Sequence, residues 1–430
     1  MTADHPLRAA LTNEVHARPF VPLRPPMRIT HIAMLSGESG FAADRAHLDL
    51  LLDAYNRPRP AAEVNHVFQD FGVFRLKWER HTEFCTWTVF VDGTAGGPFA
   101  APAIAALPAD WVAALPGSRL VAVHAAVERA GAPSAVDELA RYFDPEFMAG
   151  SAVAGGGAEA WTDFRIHDDG FGRILVRDLA LKPRQAGRLV QRLLEIETYR
   201  MMALLALPVA REVSPTISAA DRELVAITQA MHDLAGPGDE RRLLGKLTGL
   251  AAEIERVTAQ SSYRFGAARA YHALVERRIG ELREQRIEGV QTIAEFMERR
   301  LAPALRTCAA TAERLEAIAE RLSRASNLLR SRVDIALEAQ NQELLASMDR
   351  RARIQLRLQA TVEGLSVAAI SYYVVGLIGY AAKALEKSGV PVHPETATGI
   401  AIPIVVAAVW VLVRRVRRHV SETAEAPRAP

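Results

Sequence analysis

The hydrophobic pattern of the chain changes twice. Up to about residue 181, apolar positions alternate with polar ones or form short runs between turn residues. From Lys182 they recur at three- and four-residue spacing, and from about Gly364 they become nearly continuous. In the first regime, residues 5 to 17 predict a short helix closed by Arg18-Pro19 and a Pro-rich link. MRITHIAML (27 to 35) predicts a strand with Ile29, His31, Ala33 and Leu35 on one side. Residues 41 to 57 predict a helix, with Leu48, Leu51, Leu52 and Tyr55 at helical spacing and Ser39 as its cap. FGVFRLKWER (71 to 80) and EFCTWTVFV (83 to 91), reversing near His81, predict a hairpin rich in aromatic and β-branched residues. An Ala-, Pro- and Gly-rich connection (93 to 117) leads to a strand over 119 to 128 and a short helix around 135 to 142. The segments 150 to 167 and 172 to 181 then flank the turn signal Asp168-Asp169-Gly170. About seven strands and a few helices, with hairpins dominant, predict an α+β (mixed α/β, or α/β/α) domain over 1–181.

The second regime predicts a long α-helical, coiled-coil-like region over 182–362. One amphipathic helix runs through Leu189, Leu193, Leu194, Ile196, Tyr199, Met202 and Leu205 to a stop at Pro208, and another covers 221 to 234. A long pattern from Asp239 to about Arg300 follows, with charges on its solvated faces. Pro303 suits the first turn of a last helix, which continues to about Glu386 and would be about 120 Å long at 1.5 Å per residue. A rod of that length needs neighbouring helices, copies of itself, or both, to cover its apolar side. The two continuous runs, about Gly364 to Ala382 and about Thr396 to Val413, are each about 18 to 19 residues, close to what a helix needs to cross a bilayer. They predict a transmembrane helix over 363–385, an outer loop over 386–395, a second transmembrane helix over 396–413 and a basic tail over 414–430. A buried hairpin in a soluble protein is the competing reading, since Ser366, Ser371, Tyr372, Tyr373 and Pro403 interrupt the runs. The flanks favour the membrane. Arg350, Arg351, Arg353 and Arg357 precede the first run and Arg414, Arg415, Arg417 and Arg418 follow the second, while Lys383 and Lys387 between them are offset by Glu386 and Glu395. That asymmetry predicts a multi-pass protein of the cytoplasmic (inner) membrane with both termini cytoplasmic.

Composition narrows this further. Hydrophobic residues are 50% and charged residues 24% of the chain, enough for a globular core in its soluble part. A net charge of +2, with basic and acidic residues interleaved, argues against nucleic acid as a partner. The two cysteines, Cys85 and Cys308, fit a reducing compartment rather than a disulfide framework or zinc cluster. The polar, Pro-rich start does not read as a secretion leader.

Candidate chemistry is sparse. His16, with Glu14 and Arg18 in NEVHARPF (13 to 20), is a carboxylate–imidazole cluster, read mainly as structural hydrogen bonding and secondarily as a proton-transfer or metal site. Gly155, Gly156 and Gly157 lie between strands without a following Lys-Ser/Thr, and so read as a turn rather than a phosphate loop. No zinc or nucleophile-elbow motif occurs, and the expectation is that the protein is not an enzyme and uses no cofactor beyond a possible divalent or monovalent cation. Gly364, Ala368, Gly376 and Gly379 would allow close helix packing in a membrane. Gln355, Gln359 and Glu363 form one stripe at i, i+4 and i+8, to be solvated at the membrane edge in a monomer or to line a polar entrance in a ring of copies.

HPLR, NEVHARP and the stretch SRVDIALEAQNQELLASMDRRARIQLRLQATVEGLSVAAISYYVVGLIGYAAKAL resemble a bacterial family of predicted membrane-anchored proteins with a domain of unknown function, over essentially the whole chain. The order of elements, with a very long helix entering the membrane as the first of two spans, also resembles the CorA-type magnesium transporters. GLIGYA (376 to 381) sits where that family carries Gly-Ile-Tyr-Gly-Met-Asn. Gly376 and Gly379 match, while Tyr380 and Ala381 stand in place of Met and of the ion-selecting Asn. The resemblance implies a homo-oligomer, a pentamer if CorA-like, with Gln355, Gln359, Glu363, Tyr380 and Ala381 lining a cation pathway of altered selectivity. The alternative is a membrane-anchored scaffold or ligand- or partner-binding protein without transport activity.

Overall fold

The computed structural model describes residues 4–8, 11–12, 19–61, 64–94, 96–131, 134–232, 237–387, 391 and 393–424. They form two compact units, Met1–Leu234 with Arg242–Asn327, and Ala235–Arg241 with Leu328–Pro430.

The first unit is built on one mixed sheet. Its strands are β1 (Met27–Leu35), β2 (His66–Asp70), β3 (Arg75–Arg80), β4 (Phe84–Asp92), β5 (Ser118–Arg129), β6 (Ala149–Val153), β7 (Ala158–Thr162), β8 (Gly172–Asp178) and β9 (Gln285–Arg286). They lie in the order β2-β3-β4-β1-β5-β8-β7-β6-β9. Neighbours are antiparallel except β5 and β8, which are parallel. The expected hairpin is β3–β4, closed where the His81 N–H donates to Phe84 O and paired with Lys77 opposite Thr88 and Glu79 opposite Thr86. The Gly155–Gly156 turn joins β6 to β7 at positive φ.

Helices cover both faces. Leu48, Leu51 and Leu52 of α1 (Gly37–Ala54) pack against Ile32, Met34, Trp78 and Trp87 on one face. On the other, α4 (Pro183–Leu204), following the short α2 (Ala109–Ala113) and α3 (Val136–Leu139), brings Leu189, Val190, Leu193, Leu194 and Ile196 onto Met27, Ile29, Phe90 and Val123. This apolar face is too wide for one helix. Val275 and Leu282 of α6 (Pro237–Leu282) and Ile293, Phe296, Leu301 and Leu305 of α7 (Ile293–Lys387) complete the same core. The unit around the sheet therefore extends to Asn327 instead of ending near residue 181.

Several expected boundaries move for identifiable reasons. Pro208 does not end the first helix of the second regime but sits in the first turn of α5 (Ala206–Ala230), where its missing N–H costs nothing, and Pro215 lies inside that helix. Ser39 is within α1, whose N-cap is Ser36. The pattern from Asp239 to Arg300 is broken at Leu282, where Arg283 takes φ 51°. α7 then starts at Ile293, with Pro303 inside it. Its start is fixed by a reciprocal cap: the Glu295 N–H donates to Thr292 Oγ1 (3.1 Å) and the Thr292 N–H to Glu295 Oε2 (3.0 Å). Glu284 adds to it, accepting from the Ile293 and Ala294 N–H groups, both at 2.9 Å.

The second unit holds the rest of α7 and α8 (Pro394–Ala424). Both helices contain a stretch long and apolar enough to cross a membrane, and only 11% of each stretch is buried within the chain. The core hairpin of a soluble protein would be mostly buried. Among the described residues of these two stretches, Ser371, Ala382, Val405 and Val409 are buried.

Candidate functional site

The β3–β4 hairpin and β1 have two unlike faces. Toward α1 they present Leu76, Trp78, Cys85, Trp87, Val89, Ile32 and Met34, an ordinary core. Strand alternation turns Lys77, Glu79, Thr86, Thr88 and His31 the other way. That polar patch is only partly open to solvent, because α4 crosses it and bounds a cavity of about 290 Å³ lined by these five residues, by Gln191, Glu195 and Thr198, and by Arg278 of α6. Val21, Leu23, Phe84, Phe90, Val190 and Leu194 supply its apolar wall. Gly187 lets α4 come close to the preceding chain: a Cβ there would lie 2.0 Å from Val21 O.

The polar groups form two connected sets. Lys77, 6% exposed, places Nζ 2.9 Å from Glu79 Oε1 and donates to Gln191 Oε1 at 3.4 Å. Gln191 Nε2 in turn donates to Glu195 Oε1 at 2.8 Å, and Glu195 is ion-paired with Arg278. Arg278 also reaches Glu281 (3.1 Å), which holds Arg192 (2.8 Å).

His31 forms the second set. Its Nε2 is 3.0 Å from Thr198 Oγ1 and its Nδ1 is 2.8 Å from Thr88 Oγ1. The Thr198 hydroxyl donates to Leu194 O (2.9 Å), so it accepts from an Nε2–H, which leaves Nδ1 to accept from Thr88. Burial, with Lys77 and His81 nearby, pushes the His31 pKa down to about 3. The imidazole is therefore neutral with both nitrogens engaged, which suits it to holding geometry rather than carrying protons. Thr86 differs from its neighbours: it is 3% exposed and its Oγ1 has no hydrogen-bond partner.

A model of the family described as "Protein of unknown function (DUF3422)" matches residues 3–420. The chain belongs to the DUF3422 family. The resemblance read from HPLR, NEVHARP and the late stretch to a family of unknown function thus holds over nearly the whole chain. No curated protein and no solved structure matches, and no relative supports the CorA likeness.

The sequence-predicted residues lie elsewhere. His16, Glu14 and Arg18 fall outside the described residues. Gln355 and Gln359 are exposed on α7, and Gln359 Nε2 donates to Glu363 Oε1 at 3.3 Å, so the stripe is internally bonded. Tyr380, Ala381, Ala368, Gly364 and Gly376 are exposed within the single chain. Of Gly364, Gly376 and Gly379, only Gly379 meets the neighbouring helix, a Cβ there lying 3.4 Å from Thr398 Oγ1. Cys85 and Cys308 are free and buried. Among the described residues no group of three His, Cys, Asp or Glu side chains is arranged to hold a metal. One further titratable cluster is a loop tie: the buried Asp163 accepts from the Asp144 N–H (3.0 Å) and the Arg165 N–H (3.2 Å) and lies 3.1 Å from His167 Nε2.

Proposed function

We propose that this DUF3422 protein is a membrane-anchored ligand-binding protein, held in the cytoplasmic membrane by spans over 363–385 and 396–413, whose sheet unit takes a small molecule between β1, β3, β4 and α4. The observation that carries the binding is the partly open cavity beneath α4, with Lys77, His31, Thr86 and Thr88 buried and Glu79 half-buried on its sheet side. Buried polar groups cost stability and are retained where they do something. The anchoring rests on two apolar stretches of which only 11% is buried within the chain, taken with the arginine clusters outside both. The fully engaged, neutral His31 supports binding without chemistry.

Two measurements test the reading. Thermal unfolding of the detergent-solubilised full chain is followed across a library of small polar metabolites; a rise in midpoint in wild type that disappears in Lys77→Met supports the pocket, and no rise with any compound refutes it. Membrane topology is read by cysteine labelling in intact cells, where an impermeant reagent should reach Ser388→Cys and spare Ser421→Cys. The opposite pattern overturns the two-span arrangement.

A second reading has an observation in its favour. α7 leaves Leu344, Leu345, Met348, Ile354, Leu358 and Val362 exposed within the chain, a surface suited to other copies. In a CorA-like ring, Glu363 would become a ring of carboxylates that concentrates cations. A monomeric mass by native mass spectrometry, or proteoliposome cation flux unchanged in Glu363→Gln, removes this reading and leaves the first intact.

A further inference from the structure

Resting on the ligand-pocket reading, we infer that the cavity recognises a small zwitterion with an apolar side group, of the size and charge pattern of a free α-amino acid. Three observations converge on that class. The first is charge balance. Apart from histidines, the charged residues lining the cavity are Lys77 and Arg278 against Glu79 and Glu195, already paired. A net anion would displace Glu79 from Lys77 or Glu195 from Arg278 and leave a half-buried carboxylate without its cation, and a net cation taking Glu79 would leave the buried Lys77 ammonium without its carboxylate. A ligand with one charge of each sign inserts between the pairs and leaves the total unchanged.

The second is the arrangement of Gln191, which links the two pairs. Its amide oxygen faces Lys77 at 3.4 Å and its amide nitrogen faces Glu195 at 2.8 Å. An acceptor end toward the lysine and a donor end toward the glutamate is the polarity of an amino acid's carboxylate and ammonium. The contact to Lys77 is long for an ammonium, whose charge-assisted bonds run about 2.7–2.9 Å. A carboxylate moving Gln191 aside makes that bond short and fully charged, and the accompanying ammonium does the same at Glu195.

The third is the remainder of the site. Thr86 contributes a buried hydroxyl without a partner, on the strand position facing Glu79. Phe84, Phe90, Val190 and Leu194 offer an apolar wall for a side group. At about 290 Å³ the cavity lies at the small end of ligand sites, suited to one amino acid rather than to a nucleotide or lipid.

The test uses the full chain in detergent, with thermal unfolding and calorimetry against the standard L-amino acids. Any that bind are compared with analogues lacking one charge; for leucine these are 4-methylpentanoate and isoamylamine. The expected result is binding by at least one apolar amino acid and loss of about tenfold or more in affinity for either single-charge analogue. Lys77→Met should weaken binding by a similar factor. Thr86→Val, which leaves every charge in place, should weaken it several-fold and covers the case in which Lys77→Met does not fold. Equal affinity for a single-charge analogue overturns the inference. So does the absence of binding by every amino acid; if other metabolites still stabilise the protein, the pocket stands and only the zwitterion falls, and if none does, both fall.

Discussion

Thr86 and Thr88 lie two residues apart on β4, on the same covered face, and the same substitution at each should change stability in opposite directions. The Thr88 hydroxyl serves His31 Nδ1 at 2.8 Å, whereas the Thr86 Oγ1, equally buried at 3% exposure, serves nothing. A buried hydroxyl left unpaired costs about 1–3 kcal/mol, and replacing it by a methyl of the same shape removes that cost. Valine also suits a strand at least as well as threonine. Thr86→Val should therefore stabilise the ligand-free protein by about 1 kcal/mol. Thr88→Val removes a donor and leaves the imidazole nitrogen buried without one, so it should destabilise by about 1–3 kcal/mol. The difference is readable by urea unfolding of the detergent-solubilised full chain, followed by the fluorescence of Trp78, Trp87 and Trp161, all buried in the sheet unit. Midpoints should move in opposite directions with unchanged slopes. Equal destabilisation by the two variants would show that Thr86 is as well satisfied as Thr88, and would refute the view that its hydroxyl is held ready for a ligand.

Three other outcomes follow from the same contacts. The folded pKa values of His31 and His124 are held down to about 3 and about 4, chiefly by burial, below the ordinary 6.5. The unfolded chain therefore binds protons that the folded one refuses, and stability should fall as pH drops from about 6.5 toward 4 by about 1.4 kcal/mol per pH unit for each histidine; a His31→Gln profile just as steep would exclude His31 as a source. Gly187→Ala drives a methyl into Val21 O and should cost about 1–3 kcal/mol and abolish any ligand-dependent rise in melting temperature, since α4 can no longer lie where it bounds the cavity. Glu284→Ala removes the acceptor for the Ile293 and Ala294 N–H groups and should cost about 1 kcal/mol, visible as faster amide exchange in the first turn of α7 and unchanged exchange in α4.

Legibility followed the strength of local patterns. β1 and the β3–β4 hairpin were readable from alternation, and the apolar hairpin from run length and flanking arginines. β2 (HVFQD) was missed because five residues with a single apolar pair do not outweigh the Pro-rich stretch before them. The start of α7 was written in the sequence as Thr292-Ile-Ala-Glu295, a capping box, but uninterrupted charge periodicity and Pro303 drew the boundary downstream. The pocket was hidden by a default that is usually sound. Lys, Glu and Thr alternating with Trp and Leu on a hairpin ordinarily mean a solvated face. The missing signal was in α4, where Gly187, Gln191 and Glu195 recur at four-residue spacing and Thr198 follows three later. The same spacing drew attention to Gln355, Gln359 and Glu363, yet only in α4 does such a stripe face a second polar surface.

That meeting of two polar surfaces is hard to explain as a device for stability. The hairpin's other face is the comparison: residues from the same strands there bury Leu76, Trp78, Trp87 and Val89 against leucines of α1, with the Asp44 carboxyl as the buried acidic group among them. Apolar side chains at 77, 79, 86 and 88 under an apolar α4 would have continued the core already present around Ile29, Phe90 and Val123. A buried ion pair such as Lys77–Glu79 at best offsets its own desolvation and often loses to an apolar pair of the same volume. Pairing alone would account for the charges if every polar group were satisfied, as a closed network fixes a unique packing. Thr86 is a group that a purely structural network does not need, and it faces Glu79 across the hairpin, near the Lys77 to Gln191 contact, which at 3.4 Å is longer than charged partners prefer. An unpaired hydroxyl and a stretched bond on the two sides of Glu79 mark where the network is incomplete by itself, and therefore where a ligand has energy to gain.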